Sequence, residues 1–207
     1  MKVLITGGAG FIGAHVAQQL ADRGDQVVIV DNFNDYYNPV LKKDRLAALM
    51  NGRKFVLYEG DIRDMGLMDS IFSKEKIDKV VHLAAMAGVR YSIDNPILYQ
   101  EVNIGGTLNL LELSRKYGIK NFVYASSSSV YGNNDKIPFS ETDQVDNPIS
   151  PYAATKKATE LFAHVYSHVH GLPTTGLRFF TVYGPWGRPD MGVFKFIHNI
   201  INEKIGR

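Results

Sequence analysis

Hydrophobic residues in this chain fall in short runs separated by longer amphipathic stretches, and the two kinds alternate from end to end. Val3–Thr6, Gln26–Asp31, Lys54–Glu59, Lys79–Leu83, Asn121–Ala125 and Thr174–Phe179 read as six strands, several of them apolar at consecutive positions. A strand of that kind has no face to offer water, so both of its sides must be covered. Helical spacing runs over Phe11–Arg23, Val40–Asn51, Asp64–Ser73, Pro96–Tyr117 and Pro151–His170, closed by charged or Gly-containing turns such as Arg23-Gly24 and Tyr117-Gly118. A last amphipathic pattern covers Gly192–Glu203. The alternation predicts right-handed crossover units and hence an α/β fold, a doubly wound parallel sheet. Two stretches break it: the polar, Pro-punctuated segment Asn133–Ser150 and the segment Val182–Asp190. A long irregular loop in a compact domain is usually functional.

Composition changes this picture mainly by exclusion. At 207 residues and 45% hydrophobic, the chain can fill one good-sized core or two small ones. A net charge of +2 without long runs of one sign gives no electrostatic case for a nucleic-acid or membrane partner. The absence of Cys excludes disulfides, thiolate metal sites and cysteine nucleophiles. Of the six His, only His164 and His168 share a helical spacing, and no HExxH pattern surrounds them, so no metal is expected. No apolar run approaches the roughly 18 residues of a membrane span. Met1-Lys2 leads straight into a strand, with no secretory leader pattern, and a cytoplasmic protein is the expectation.

Candidate chemistry begins at the first strand end. Strand Val3–Thr6 enters Gly7-Gly8-Ala9-Gly10-Phe11-Ile12-Gly13, and a helix opens there. Glycines at 7, 10 and 13 permit a tight turn and close approach of backbone to a pyrophosphate, which the helix N-terminus stabilises. Asp31 ends the second strand, 18 residues beyond Gly13, where a carboxylate can accept from a ribose 2′-hydroxyl and repel a 2′-phosphate. Asn32 and Phe33 follow, with no Arg, so the pattern favours NAD over NADP. Asp61-Ile62 closes the third strand, and Asp61 either meets an adenine amino group or caps the helix Asp64–Ser73. Further on, Tyr152 and Lys156 fall on one helical face, so that the ammonium sits beside the phenol and favours its ionised form, making a general base.

Taken together, Thr6-Gly-Gly-Ala-Gly-Phe-Ile-Gly13, His82-Leu-Ala-Ala85 and Tyr152-Ala-Ala-Thr-Lys156 resemble the extended short-chain dehydrogenase/reductase family, specifically its NAD-dependent nucleotide-sugar epimerases and dehydratases. The resemblance runs from Lys2 to the last residue. It implies an NAD site on Gly7, Gly10, Phe11, Ile12 and Gly13, extended by Asp31, Asn32, Asp61 and Ile62, and continued along Leu83, Ala84 and Ala85. It further implies that Lys156 holds the nicotinamide ribose beside Tyr152, and that Ser127 and Ser128 meet the substrate. Residues 1–180 are then the NAD-binding domain and 181–207 the start of a substrate-binding region. Members of the family continue further, so apolar surface near Gly192–Ile205 is expected to be uncovered.

Where dehydratases of the family carry an acidic pair after the active hydroxyl residue, this chain has Ser128 and Ser129, and a decarboxylase Glu is missing from the same stretch. Oxidation and re-reduction at one carbon is the chemistry left. Ala84–Pro96 and Leu177–Met191 look most like the UDP-glucuronate 4-epimerases, which implies Arg188 on the sugar carboxylate through a bidentate fork, Thr181 at the sugar, and Arg90 and Ser92 approaching from the other side. The implied reaction has Tyr152 take the proton of the 4-hydroxyl while NAD takes the hydride, after which the 4-keto sugar turns over and is reduced on its other face. UDP-glucose 4-epimerase and a non-catalytic NAD-binding module are the alternatives. Leu161, Phe162, Val165 and Val169 are apolar positions that in this family build a two-fold dimer bundle, so the resemblance implies a homodimer; ordinary packing on the sheet is the alternative.

Overall fold

A computed structural model describes residues 1–202. Its elements in chain order are β1 (Lys2–Thr6), α1 (Phe11–Asp22), β2 (Gln26–Asp31), α2 (Pro39–Leu49), β3 (Phe55–Glu59), α3 (Met65–Glu75) and β4 (Lys79–His82). Then come α4 (Val89–Asp94), α5 (Pro96–Tyr99), a π-helical segment (Gln100–Gly105), α6 (Gly106–Lys116), β5 (Phe122–Ser127), a 3-10 turn (Ser128–Tyr131), α7 (Pro151–His170), β6 (Thr174–Phe179) and α8 (Gly192–Ile201). The six strands form one sheet in the order β3-β2-β1-β4-β5-β6, and every pairing is parallel. The expected doubly wound fold is therefore what the chain adopts.

Alternate residues of the central strands explain why those strands are apolar throughout. Leu4, Val28, Val30 and Val80 join a core with Phe72, Leu110 and Phe122, whereas Val3, Ile5, Val27 and Ile29 join a second core with Ala17 and Leu46 on the opposite face. The two edge strands are exceptions: most of β3 is exposed, and β6 is exposed or half-buried along its length.

Several boundaries differ from the sequence reading. The helix expected over Pro96–Tyr117 is three pieces, because the π-helical segment frees the Asn103 carbonyl to accept from the hydroxyls of Thr107 at 2.5 Å and Thr159 at 3.4 Å. At its end Gly106 lies against Ile62, where a Cβ would come within 2.5 Å of that side chain. The short α4 follows Gly88 at φ +103 and has no amphipathic period long enough to read. Helix α8 buries none of its residues; the expected helix end Glu203 and the apolar Ile205 lie outside the described residues.

One partly buried ion pair fastens α7 to the sheet. Glu160 accepts from Arg178 Nε and NH2, both at 2.9 Å, and from the Ser126 hydroxyl at 2.5 Å. Burial alone would raise the Glu160 carboxyl, but the Arg178 fork and Ser126 outweigh it and hold the group below the usual carboxylate range. A carboxyl depressed in the folded state contributes stability that is full above its unfolded pKa, about 4.3, and is lost as pH falls below that value. Glu160→Gln should cost about 2–3 kcal/mol in urea unfolding at pH 7, and less as the pH is lowered through the carboxylate range.

Candidate functional site

At the C-terminal edge of the sheet, where the chain winds outward from β1 on one side and from β4 on the other, a cleft of about 470 Å³ opens. Its floor is the glycine turn. Gly7 sits at φ +68, and a Cβ there would stand 2.7 Å from the Ala84 nitrogen; a Cβ on Gly13 would stand 2.2 Å from the Gly7 carbonyl oxygen. No L side chain fits at either place, so the turn can be tight enough to bring α1 directly under the cleft. Gly10, the N-cap, supplies no side-chain acceptor, and Phe11, Ile12 and Gly13 of the first helical turn line the cleft. Their N–H groups and the helix dipole fit a pyrophosphate.

Asp31 stands at the end of β2, where its carboxylate accepts from Ala9 N at 3.0 Å and Phe33 N at 2.9 Å. Two backbone bonds fix its plane and leave lone pairs for ribose hydroxyls. Asn32 donates to Asp61 at 3.1 Å, and Arg63 grips the same carboxylate at 2.9 and 3.0 Å. Burial alone would raise Asp61, but Arg63 and Asn32 hold it low. Of the two roles open to Asp61, helix capping falls away: Asp64 caps α3, accepting from Leu67 N at 2.9 Å, while Asp61 and Ile62 line the cleft. Leu83, Ala84 and Ala85 line it just past the end of β4.

Lys42 was not found from the sequence. It projects from α2 into the cleft, buried, donating to the Asn34 carbonyl at 2.9 Å and side-chain oxygen at 2.8 Å. Burial pulls its pKa down, and Asp31 partly restores it.

On the opposite wall, α7 brings Tyr152 and Lys156 to the end of β5. Lys156 is buried, and its ammonium donates to the Ala125 carbonyl at 2.7 Å. Burial lowers its pKa to about 8. The pair differs from the sequence expectation. Burial raises the Tyr152 phenol, and the influences that pull it down are the Ser127 hydroxyl and the Arg188 charge. The ammonium lies 6.0 Å from the Tyr152 ring centre and is committed to a backbone carbonyl, so it does not dominate the phenol. Ser127 and Ser128 line the same wall, Ser127 accepting from Ser129 N at 3.1 Å.

The loop after β6 adds Thr181 and Arg188 to the cleft. Arg188 stacks 5.7 Å over Tyr36, and its fork already holds a carboxylate, Nε to Asp190 at 3.0 Å and NH2 at 2.6 Å. Arg90 and Ser92 do not reach the cleft. Arg90 is exposed outside it, and Ser92 is fully buried within α4, donating to the Val89 carbonyl at 2.5 Å.

Beneath both halves lies His82, its Nδ1 2.7 Å from the Thr6 hydroxyl and its Nε2 2.9 Å from Thr107. Thr107 donates to the Asn103 carbonyl, so it can only accept from His82, which places the proton on Nε2. Burial, with the Lys156 charge, pushes His82 down to about 3 and keeps it neutral.

The GDP-mannose 4,6-dehydratase family profile matches residues 4–207. The chain is 54% identical over 204 residues to Protein CapI of Staphylococcus aureus, covering 99% of this chain and 61% of that protein. It is 52% identical over 205 residues to UDP-glucuronate 4-epimerase 1 of Arabidopsis thaliana, covering 99% of this chain and 48% of that one. A solved structure of UDP-glucuronic acid 4-epimerase from Bacillus cereus, in complex with UDP-glucuronic acid and NAD, superposes with a TM-score of 0.89 at 36% identity, covering 98% of this chain and 64% of that chain. The chain thus spans about half to two thirds of the length of these relatives.

The buried ammonium yields a pH test. A lysine depressed to about 8 in the folded state costs stability while it is charged, and that cost is relieved as pH rises from about 8 toward the unfolded value near 10.4. Lys156→Met should unfold in urea at pH 7 no more easily than the parent, and any advantage should shrink between those two pH values.

Proposed function

The chain belongs to the GDP-mannose 4,6-dehydratase family, and on that premise we propose that it holds NAD in its cleft and interconverts the C4 epimers of a UDP-sugar, UDP-glucuronate and UDP-galacturonate. One observation carries the reading: a single cleft joins the glycine turn to the wall that bears Ser127, Tyr152, Lys156 and Arg188. The relatives support it, since they include a UDP-glucuronate 4-epimerase and a UDP-glucuronic acid 4-epimerase in complex with UDP-glucuronic acid and NAD. In this reading residues 1–180 form the NAD-binding domain and 181–207 begin the sugar side.

Bound NAD supplies a reversible hydride acceptor. The protein's part is positioning and proton transfer. The α1 N-terminus takes the pyrophosphate, Asp31 and Lys42 the adenosine ribose hydroxyls, and Asp61 the adenine amino group. Lys156, fixed by Ala125, meets the second ribose. Ser127 hydrogen-bonds the sugar hydroxyl, and Tyr152 accepts its proton and later returns one. Burial raises the phenol, and Ser127 and Arg188 offset that rise only in part. Arg188 then has a second task, gripping the sugar carboxylate so that the transient β-keto acid is held in a geometry unfavourable to loss of carbon dioxide. Ser128 and Thr181 complete the sugar contacts.

UDP-glucose is the second candidate substrate, and one observation favours it: the Arg188 fork is already occupied by Asp190. We also place a homodimer on α7, whose Leu161, Phe162, Val165 and Val169 are exposed. Among the described residues no helix is long and apolar enough to cross a membrane.

Incubation with UDP-glucuronate and catalytic NAD should yield UDP-galacturonate. A pentose nucleotide would point to decarboxylation, and turnover of UDP-glucose alone to the second candidate. Tyr152→Phe should abolish turnover while NAD still binds in calorimetry, and the parent's rate should climb with pH, as a raised phenol requires.

A further inference from the structure

Arg45 is the largest fully buried side chain among the described residues, and none of its acceptors is a carboxylate. From α2 it reaches two other places. NH1 donates to the Ala9 carbonyl in the glycine turn at 2.8 Å and to the Tyr37 hydroxyl at 3.0 Å, and Nε donates to the Trp186 carbonyl at 3.0 Å, 141 residues along the chain. Its remaining nitrogen, NH2, is buried without a partner. Trp186 sits at φ +62, a left-handed conformation that a non-glycine residue keeps only under restraint, and Arg188 lies two residues beyond it.

We propose that Arg45 is a positioning residue that sets the Arg188 loop against the glycine turn, so that occupation of the phosphate side of the cleft is felt on the sugar side. Only a planar fork reaches carbonyls in two segments at once; a lysine amine is a point donor on a flexible stem. The cost of the arrangement argues that it is kept for position. A buried cation with two unused N–H donors is a poor stabiliser, and an apolar side chain of similar length would remove that cost. Ala9 is held from both ends: its N–H donates to Asp31 and its carbonyl accepts from Arg45. The residue that carries the turn is therefore tied to the ribose acceptor on one side and to the sugar-side loop on the other. The second clause of the proposal rests on NAD occupying the cleft; the first does not.

Trp186 is the only tryptophan and is half-buried, so its emission reports the loop. Iodide quenching and thermal unfolding should be compared in the parent, Arg45→Met and Arg45→Lys. The expected result is a severalfold rise in the quenching constant of Arg45→Met with Tm at or above the parent's, and a similar rise in Arg45→Lys, which keeps the charge but loses the fork. Unchanged quenching in either variant overturns the proposal. So does a rise that comes only with a large drop in Tm, the mark of a general structural staple. In a second arm NAD should shift Trp186 emission in the parent, and should bind Arg45→Met in calorimetry without that shift; an equal shift in the variant overturns the coupling. A parent that binds no NAD refutes the proposed function, and the quenching comparison still decides the role of Arg45.

Discussion

Three cations are buried around one cleft, and each is held by carbonyl or hydroxyl oxygens in place of a carboxylate. Lys156 donates to Ala125, Lys42 to Asn34, and Arg45 to Ala9, Tyr37 and Trp186. A carbonyl satisfies a donor without cancelling its charge, so these groups keep their charge while standing at fixed places. Solvation lost on burial is returned only in part, which is why the pKa values of Lys42 and Lys156 are both lowered. Added to the N-terminus of α1, which no side chain caps, the arrangement sets positive charge beside the carboxylates of Asp31, Asp61 and Asp190 that line the same cleft.

The carboxylates are placed so that they give this field a direction. Asp31 and Asp61 stand at the ends of β2 and β3, where each is oriented by fixed donors, Ala9 and Phe33 for one and Arg63 with Asn32 for the other. An acidic end, a helix N-terminus and a cationic wall follow one another across the sheet edge. That order matches a molecule with hydroxyls and an amino group at one end and phosphates in the middle.

Much of this was legible in the sequence. Two-sided apolar runs at Val27–Val30 fix a central parallel strand, and the glycine spacing fixes the turn, because only a missing Cβ tolerates contacts of 2.2 and 2.7 Å. What was illegible shares one cause: chemistry set by tertiary burial. Leu-Lys-Lys-Asp-Arg on α2 reads as a solvated face, yet Lys42 and Arg45 are buried by Tyr37 and the loop after β6, segments distant from each other in the chain. The α4 segment buries Ser92 and leaves Arg90 exposed, and a six-residue helix leaves no period from which to read that difference. Helical spacing placed Tyr152 and Lys156 on one face correctly, but spacing carries no information about desolvation, which decides the direction in which the phenol moves.

Arg188 is where these threads meet. Its charge is one of the influences that lower the Tyr152 phenol, its ring-stacking partner Tyr36 lines the same cleft, and its Nε–NH2 edge is taken by Asp190. A guanidinium has a second edge, NH1 with the outer hydrogen of NH2, and NH1 has no hydrogen-bond partner among the described residues. An anionic sugar can be met in two ways: by displacing Asp190 from the first edge, or by adding to the second while Asp190 holds the plane. The two differ in their effect on the phenol. Displacement exchanges one carboxylate for another and leaves the field at Tyr152 nearly unchanged, whereas addition places a second negative charge near the base and raises it further. On the proposed function, where one arginine serves both the phenol and a sugar carboxylate, exchange is the better arrangement only if the displaced Asp190 carboxylate turns away from Tyr152.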